Sequence, residues 1–126
     1  MKISEVSNQC GISAHTLRYY EQIGLLSPIN RNNGGIRDYS ERDLQRVEFI
    51  KCMRGAGLTI EVLLEYFKLL EQGDQTIEAR KQILEEQRVQ LLTKIAEMQE
   101  TLALLEYKIN FYENALVEKE SELIEY

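Results

Sequence analysis

The side chains with the clearest chemistry lie in one short segment, residues 13–20, Ser-Ala-His-Thr-Leu-Arg-Tyr-Tyr. The hydroxyl of Ser13 can accept a hydrogen bond from a first-turn amide, so the segment is predicted to form a helix. Leu17 can face a core, while Thr16, Arg18 and the two tyrosines project hydrogen-bonding or cationic groups from the other sides. Groups of this kind contact phosphates and base edges in a DNA groove.

A second short amphipathic helix precedes this one and opens at Ile3-Ser4-Glu5-Val6. The turn between the two helices is predicted at Cys10-Gly11-Ile12, where Gly11 relieves the backbone. Two short helices joined by a tight turn containing glycine are typical of a helix-turn-helix. The second helix of that motif can lie in the DNA major groove.

A small β-hairpin, or wing, is predicted after this motif. The second helix is expected to end near Ile23, and Pro28 stops any further helix. Asn33-Gly34 is a strong tight-turn signal, because both residues tolerate positive φ. The hairpin would place Arg31 and Arg37 on its two short strands. A disordered surface loop is the alternative.

Two more helices follow the predicted wing. Ser40 and Asp43 resemble a capping box and start a helix over residues 41–54, and Thr59 caps another over 60–71. Gly55 and Gly57 end the first, and Gly73 closes the second. The residues expected to face inward are Leu44, Val47, Ile50 and Met53 on the first helix, and Val62, Leu63, Tyr66, Phe67 and Leu70 on the second.

A long helix is predicted from Thr76 onward, where neither Gly nor Pro occurs. Apolar residues recur every seven positions, which indicates a coiled coil and, most simply, pairing with a second copy. The basic residues Lys81, Arg88 and Lys119 interrupt the two heptad series of apolar residues that make up this pattern. A long helix that folds back on itself as a hairpin is the alternative to pairing with a second copy. Residues 113–126 are expected to be free to separate from the coiled coil. The series are Ile77, Leu84, Leu91, Met98, Leu105 and Tyr112, and Ile95, Leu102, Ile109, Leu116 and Leu123.

Charge is distributed unevenly along the 126 residues, whose formal net charge is −6. Residues 1–57 carry eight basic and six acidic side chains, a balance of +2, and residues 58–126 carry seven and fifteen, a balance of −8. The cations therefore accompany the helix-turn-helix, which suits contact with DNA phosphates. No apolar run approaches the ~20 residues of a membrane span, and the N-terminus lacks the apolar core of a secretion signal, so a cytoplasmic protein is expected.

Several sequence blocks resemble the MerR family of bacterial transcription regulators. They are Thr-Leu-Arg-Tyr-Tyr-Glu (16–21), Ile-Gly-Leu-Leu (23–26), Arg37 with Tyr39, and Arg-Gly-Ala-Gly-Leu-Thr (54–59). Ile36 departs from the pattern, since many members have an aromatic residue there. The resemblance implies a mainly α protein, with a winged helix-turn-helix DNA-binding domain over residues 1–72. A dimerisation helix, forming an antiparallel coiled coil, and a C-terminal tail would fill residues 73–126.

The resemblance also implies a mode of action. Members of the family bind double-stranded promoter DNA as homodimers, at promoters whose two RNA polymerase elements are separated by an overlong spacer. The effector-bound form bends and untwists that spacer. Contacts at two half-sites compensate the cost of deforming the DNA, so the expected function is activation through DNA shape.

The family motif places specific residues of this chain at the DNA. Thr16, Arg18 and Tyr19 are expected to touch bases or phosphates, and His15 can reach a phosphate. One of the two adjacent tyrosines is expected to be partly buried, and a surface arginine outside such a motif is usually only solvated. The residues expected mainly to grip the backbone are Tyr20, Arg31, Arg37 and Tyr39.

The expected sensor is Cys52. Metal-sensing members carry a C-terminal cysteine pair, and this chain has no cysteine after Cys52, so neither a metal nor another cofactor is expected. Cys52 lies about 160° around the helix from Ile50, away from the apolar stripe. Phe-Ile-Lys-Cys-Met-Arg (49–54) resembles the NmlR/AdhR-like branch, whose cysteine at this position responds to aldehydes, other electrophiles or oxidants.

Alternatives to this sensor remain open. Free cysteines are mostly small buried hydrophobes, as is expected of Cys10, and a helix C-terminus disfavours a thiolate at Cys52. A non-covalent ligand near the coiled coil would gate the same regulator. A coiled-coil adaptor without DNA binding is a third hypothesis. An enzyme is not expected, because His15 is the one histidine and there is no Gly-rich phosphate loop.

Overall fold

The architecture is helical in the computed structural model, which describes residues 1–122, with side-chain surroundings through residue 118. This part of the chain contains no extended strand, and its one antiparallel bridge joins Arg31 and Arg37. The mainly α fold predicted from the sequence is confirmed. The helices are α1 (Ile3–Cys10), α2 (Ala14–Gln22), α3 (Glu41–Gly55), α4 (Ile60–Gln72) and α5 (Ile77–Glu122), with a short 3₁₀ turn at Asp74–Thr76.

A hydrophobic core lies within the first compact unit, Met1–Gln87. Each of the four shorter helices contributes fully buried side chains, and the segment after α2 adds Leu25 and Leu26. Removing these side chains from water is the main stabilising term for such a unit. Val6, Leu17, Val47, Ile50 and Leu63 are among its innermost members.

Helix caps explain where the shorter helices begin. The Ser40 hydroxyl accepts from the Asp43 amide at 3.1 Å, and the Asp43 carboxylate accepts from the Ser40 amide at 2.9 Å, which confirms the predicted capping box. Thr59 Oγ1 accepts from the Val62 amide at 3.2 Å and caps α4 as expected. One prediction about the inward faces is wrong, because Leu70 is 40% exposed.

The joint between α4 and α5 is built around Thr76, a buried polar residue. Its hydroxyl lies 2.6 Å from the carbonyl oxygen of Leu69 and 2.7 Å from that of Gly73. Arg80 donates from Nε to the Thr76 hydroxyl at 3.0 Å and from Nη2 to the Gly73 carbonyl at 3.3 Å. The end of α4 and the first turn of α5 are therefore tied together by one connected set of hydrogen bonds.

The second unit, from Arg88 onward, is the continuation of α5, whose 46 residues run unbroken to Glu122. The helical-hairpin alternative is therefore wrong for residues 77–122, and the helix does not break after residue 112. Leu123 lies outside the described residues. The domain division at residue 72 stays a prediction.

Helix α5 carries an apolar seam that follows the predicted 4-3 spacing. From Ile95 on, the side chains of the seam are 43–71% exposed. The seam is defined here as Leu91, Ile95, Met98, Leu102, Leu105, Ile109, Tyr112 and Leu116.

Candidate nucleic-acid interface

Helix α2 begins where the sequence predicted. The Ser13 hydroxyl accepts from the Thr16 amide at 3.1 Å and donates to the Thr16 hydroxyl at 2.9 Å. Leu17 is fully buried, and Tyr20 is 9% exposed. One face of this short helix is thus fixed in the core, so its opposite face has a defined position.

The opposite face of α2 presents the predicted contact residues. His15, Arg18 and Tyr19 are exposed, at the i, i+3 and i+4 spacing that places side chains on one side of a helix. Thr16 is half-buried beside them. Tyr19 is 45% exposed and Tyr20 is buried, so the expectation that one of the adjacent tyrosines is partly buried is confirmed. A cation, an imidazole and a phenol on one exposed face can contact phosphates and groove edges.

The wing is shorter than the predicted hairpin and turns differently. The Asn32 amide donates to the Ile36 carbonyl at 2.8 Å and the Gly35 amide to the Asn32 carbonyl at 2.9 Å, which closes the turn. Positive φ falls on Gly35, at +76°, and not on Asn33 or Gly34, the pair that gave the turn signal. The Asn32 side-chain oxygen accepts from two amides inside the turn, so the turn is fixed by its own polar groups.

A partly buried ion pair joins the wing to α2. Arg37 Nε donates to Glu21 Oε1 at 2.6 Å, and Glu21 Oε2 accepts from the Ile29 amide at 3.1 Å. Burial alone would raise the pKa of the Glu21 carboxyl. The hydrogen bonds from Arg37 and Ile29, and the charges of Arg37 and Arg31, outweigh burial and hold that pKa below its usual value. Sequence reasoning missed Glu21, because no local pattern reveals its partner 16 residues away.

The remaining predicted wing residues differ in exposure. Arg31 is exposed and donates from Nη1 to the Gly35 carbonyl at 2.9 Å. Tyr39 is 2% exposed, and its hydroxyl has no hydrogen-bond partner in the part of the chain that the structure describes. Burial raises the pKa of this phenol. The structure therefore brings Arg31 and Arg37 to the wing and buries Tyr39 in the hydrophobic core.

The two cysteines lie in different environments. Cys10 is buried at the end of α1, where burial raises the pKa of its thiol, the Glu48 carboxylate raises it further, and Lys51 opposes both. Cys52 is exposed on α3. Exposure makes Cys52 the thiol that a dissolved reagent can reach.

Residues 1–122 contain no group of three or more His, Cys, Asp or Glu side chains placed to hold a metal ion. Within the same residues, no helix combines the length and apolar character needed to cross a membrane.

A fixed helix-turn-helix whose exposed second helix lies beside an arginine-bearing wing defines the winged helix-turn-helix class of DNA-binding proteins. Comparison with known proteins identifies the family within this class. Residues 1–70 match the family described as "MerR HTH family regulatory protein", and residues 44–107 match "MerR, DNA binding". The chain belongs to the MerR family, and it is a DNA-binding transcriptional regulator.

Individual relatives agree with this assignment. The HTH-type transcriptional regulator AdhR of Bacillus subtilis (strain 168) is 54% identical over 92 residues, which cover 73% of this chain and 66% of the relative. A crystal structure of a MerR family transcriptional regulator from Listeria monocytogenes matches with a TM-score of 0.90 and 44% identity, over 98% of this chain and 93% of that one. HiNmlR, described as lacking the sensor domain and bound to promoter DNA, matches with a TM-score of 0.83 and 34% identity, over 90% of each chain.

Proposed function

We propose that the protein is a homodimeric activator that grips promoter DNA with α2 and the wing. The observation that carries this proposal is the division of α2 into two faces. Leu17 holds one face in the core, while Arg18 and Tyr19 leave the other free beside the wing. The similarity to HiNmlR, whose structure contains promoter DNA, supports the same use of this surface.

Each predicted contact residue has a place in this proposal. Thr16, Arg18 and Tyr19 contact bases or phosphates from the recognition helix, and His15 reaches a phosphate. Arg31 and Arg37 grip the backbone from the wing. The backbone contacts of Tyr20 and Tyr39 remain predictions. The hydroxyl of Tyr39 is buried, so a phosphate can reach it only if the residues that cover it move.

Homodimerisation is supported by the exposed seam of α5. Apolar side chains at 4-3 spacing over residues 91–116 form the surface that a second helix covers in a coiled coil. We propose that the two helices run antiparallel, as the resemblance to the family implies. A dimer presents two recognition helices to one duplex, and this matches the two half-sites needed to deform an overlong promoter spacer for RNA polymerase. A regulator of chromosomal promoters works in the cytoplasm, where we place it.

We assign the sensing role to Cys52. Its exposure on α3 and the 54% identity to AdhR support a thiol that reacts with aldehydes or related electrophiles. With a saturated aldehyde, the sulfur bonds to the carbonyl carbon and the carbonyl oxygen gains the proton that the thiol loses, giving a hemithioacetal. With an α,β-unsaturated aldehyde, the sulfur adds to the β carbon, the carbon–carbon double bond becomes a single bond, and the α carbon gains the proton that the thiol loses. The product is a stable thioether. Either adduct adds bulk on α3, and the resulting packing change would be passed to the DNA-binding residues.

One footprinting experiment tests this proposal. The purified protein is bound to the DNA upstream of its own coding sequence, with and without an α,β-unsaturated aldehyde, and the mass of each cysteine-containing peptide is measured. We expect a protected site whose cleavage pattern changes with the aldehyde, together with an adduct on Cys52. Cys52→Ser should keep the protection and lose the change, whereas Cys10→Ala, the matched cysteine control, should keep both.

Other outcomes separate the alternatives. A changed cleavage pattern in Cys52→Ser would remove Cys52 from the mechanism and favour a non-covalent ligand. Arg18→Ala should weaken binding by about 1–3 kcal/mol, a loss of roughly 5-fold to 150-fold. Absence of protection at low salt, for the unaltered protein, would favour the coiled-coil adaptor.

A further inference from the structure

A lysine of α3 lies against the turn between α1 and α2. Gly11, at that turn, has a φ of +68°, and its amide donates to the Ser7 carbonyl at 2.9 Å, which closes α1. Lys51 Nζ lies 3.4 Å from the point that a Cβ atom on Gly11 would occupy. The ammonium of α3 therefore occupies the space beside the glycine at the joint of the helix-turn-helix.

Electrostatic interactions of the same region also place Lys51 at the end of α1. Burial and the Glu48 carboxylate raise the pKa of the Cys10 thiol, and the Lys51 charge lowers it. The last turn of α1, residues 7–10, contains no basic residue. A cation near the C-terminal carbonyls of a helix is stabilising. Helix α3 therefore supplies the positive charge that the end of α1 lacks.

Lys51 directly precedes Cys52, the proposed sensing thiol, and both side chains are exposed. Adjacent helical residues point about 100° apart, so the thiol and the ammonium do not face each other. A saturated aldehyde has no second electrophilic carbon with which to join them. An α,β-unsaturated aldehyde has two such carbons, and the flexible four-carbon stem of lysine lets its nitrogen approach an adduct on the next residue.

We propose that Lys51 holds the turn between α1 and α2 in place and is the second residue with which an α,β-unsaturated aldehyde reacts. This inference rests on the proposed sensing role of Cys52. After the thiol has added to the β carbon, the carbonyl of the adduct remains free. The Lys51 ammonium gives one proton to solvent, and its nitrogen forms a double bond to the carbonyl carbon. The carbonyl oxygen leaves as water with the two remaining amine protons, and an imine bridge joins Lys51 to Cys52.

The imine bridge acts on the part of the fold that positions the recognition helix. It ties the nitrogen to Cys52 and removes the free ammonium from the turn at Gly11. The cap of α2, Ser13, lies two residues beyond Gly11. A saturated aldehyde leaves the Lys51 ammonium in place, so the inference assigns the stronger response to α,β-unsaturated aldehydes.

Peptide mass spectrometry tests the bridge. The full-length protein is treated with acrolein, reduced with borohydride and digested. Reduction converts an imine into a stable amine and a free adduct into an alcohol, so the bridged and unbridged products differ by one water. We expect the bridged product in the unaltered protein and only the unbridged adduct in Lys51→Arg. Lys68→Arg, at an exposed lysine of α4, is the matched control and should keep the bridge, and propanal should leave none.

Footprinting on the promoter DNA tests the positioning role. Without aldehyde, Lys51→Gln should shift the cleavage pattern toward that of the acrolein-treated unaltered protein, because it removes the same cation. Lys51→Arg keeps the charge and should restore the untreated pattern. It cannot form the imine, so it should lose most of the change that acrolein causes. Lys68→Gln should match the unaltered protein in both states.

The possible results separate this inference from the proposed function. An unchanged acrolein response in Lys51→Arg, or an adduct on Cys52 without a bridge in the unaltered protein, overturns the inference and leaves the sensing role of Cys52 standing. A Lys51→Gln pattern identical to that of the untreated unaltered protein overturns the positioning role of Lys51. An unaltered protein whose pattern ignores acrolein, although Cys52 is modified, overturns both the inference and the proposed sensing role.

Discussion

The two units of this chain use apolar residues in opposite ways. In Met1–Gln87 the large apolar side chains meet one another, and Leu17 and Leu63 have almost no exposed surface. In α5 beyond Arg88, seam residues such as Leu102 keep about half of their surface exposed. The first unit satisfies its apolar pattern within one chain, whereas the second leaves its apolar pattern exposed. In the dimer that we propose, the same leucine side chain contributes to folding in one unit and to assembly in the other.

The largest effect that would test this contrast is expected from Leu17→Ala. Leu17 is fully buried between the DNA-binding helices, so its truncation leaves a cavity and should cost about 2–5 kcal/mol of unfolding free energy. Denaturant titration followed by circular dichroism measures this loss. The loss should persist when protein concentration is varied, and Leu17→Met should recover most of it. A loss below about 1 kcal/mol would contradict the central place of Leu17 in the core.

The matching change in the second unit is Leu102→Ala. Because Leu102 is exposed in one chain, its truncation should act through the dimer and raise the dissociation constant at least about tenfold. Sedimentation over a dilution series measures this constant. Gln90→Ala, at an exposed polar position of the same helix, is the control and should change it less than twofold. An unchanged constant in Leu102→Ala would remove the seam from the interface.

The smallest effect concerns the ion pair that joins α2 to the wing. The pKa of Glu21 is lowered in the folded protein, so its contribution is present above the unfolded value of about 4.3 and is lost as pH falls through the folded value. Glu21→Gln should therefore remove up to about 1 kcal/mol of stability at neutral pH and reduce the loss on acidification. Thermal unfolding between neutral and acidic pH measures both. Glu65→Gln, which removes an exposed carboxylate from the middle of α4, is the control and should follow the curve of the unaltered protein. If Glu21→Gln also follows that curve, the ion pair contributes nothing to stability.

The sequence predicted the elements of the first unit because their signals are local. Ser13, Ser40 and Thr59 act within three residues of themselves, and the 3.6-residue periodicity needs only one helix to be seen. The exposed face of α2 was predictable for the same reason. The sequence also predicted that α5 would present a seam, since sustained heptads have few other interpretations.

Features that depend on distant parts of the chain were not predictable. Glu21 meets Arg37 only after the wing has folded back onto α2, and the Tyr39 ring is buried because several elements converge on it. Gly35, rather than Asn33, takes the positive φ because the Asn32 side chain organises the turn through its own hydrogen bonds. Tertiary contacts decided the cases of Glu21 and Tyr39, and no short window of sequence contains them. The case of Gly35 is local, and the Asn33-Gly34 signal concealed it.

The hydrogen bonds around Thr76 have a mechanical consequence. Because the Thr76 hydroxyl and Arg80 tie the last carbonyls of α4 to the first turn of α5, the connection lacks the slack of an ordinary linker. The first turn of α5 therefore cannot reorient against the end of α4 without breaking hydrogen bonds of the buried Thr76 hydroxyl or of Arg80, and each broken bond would leave a polar group without its partner.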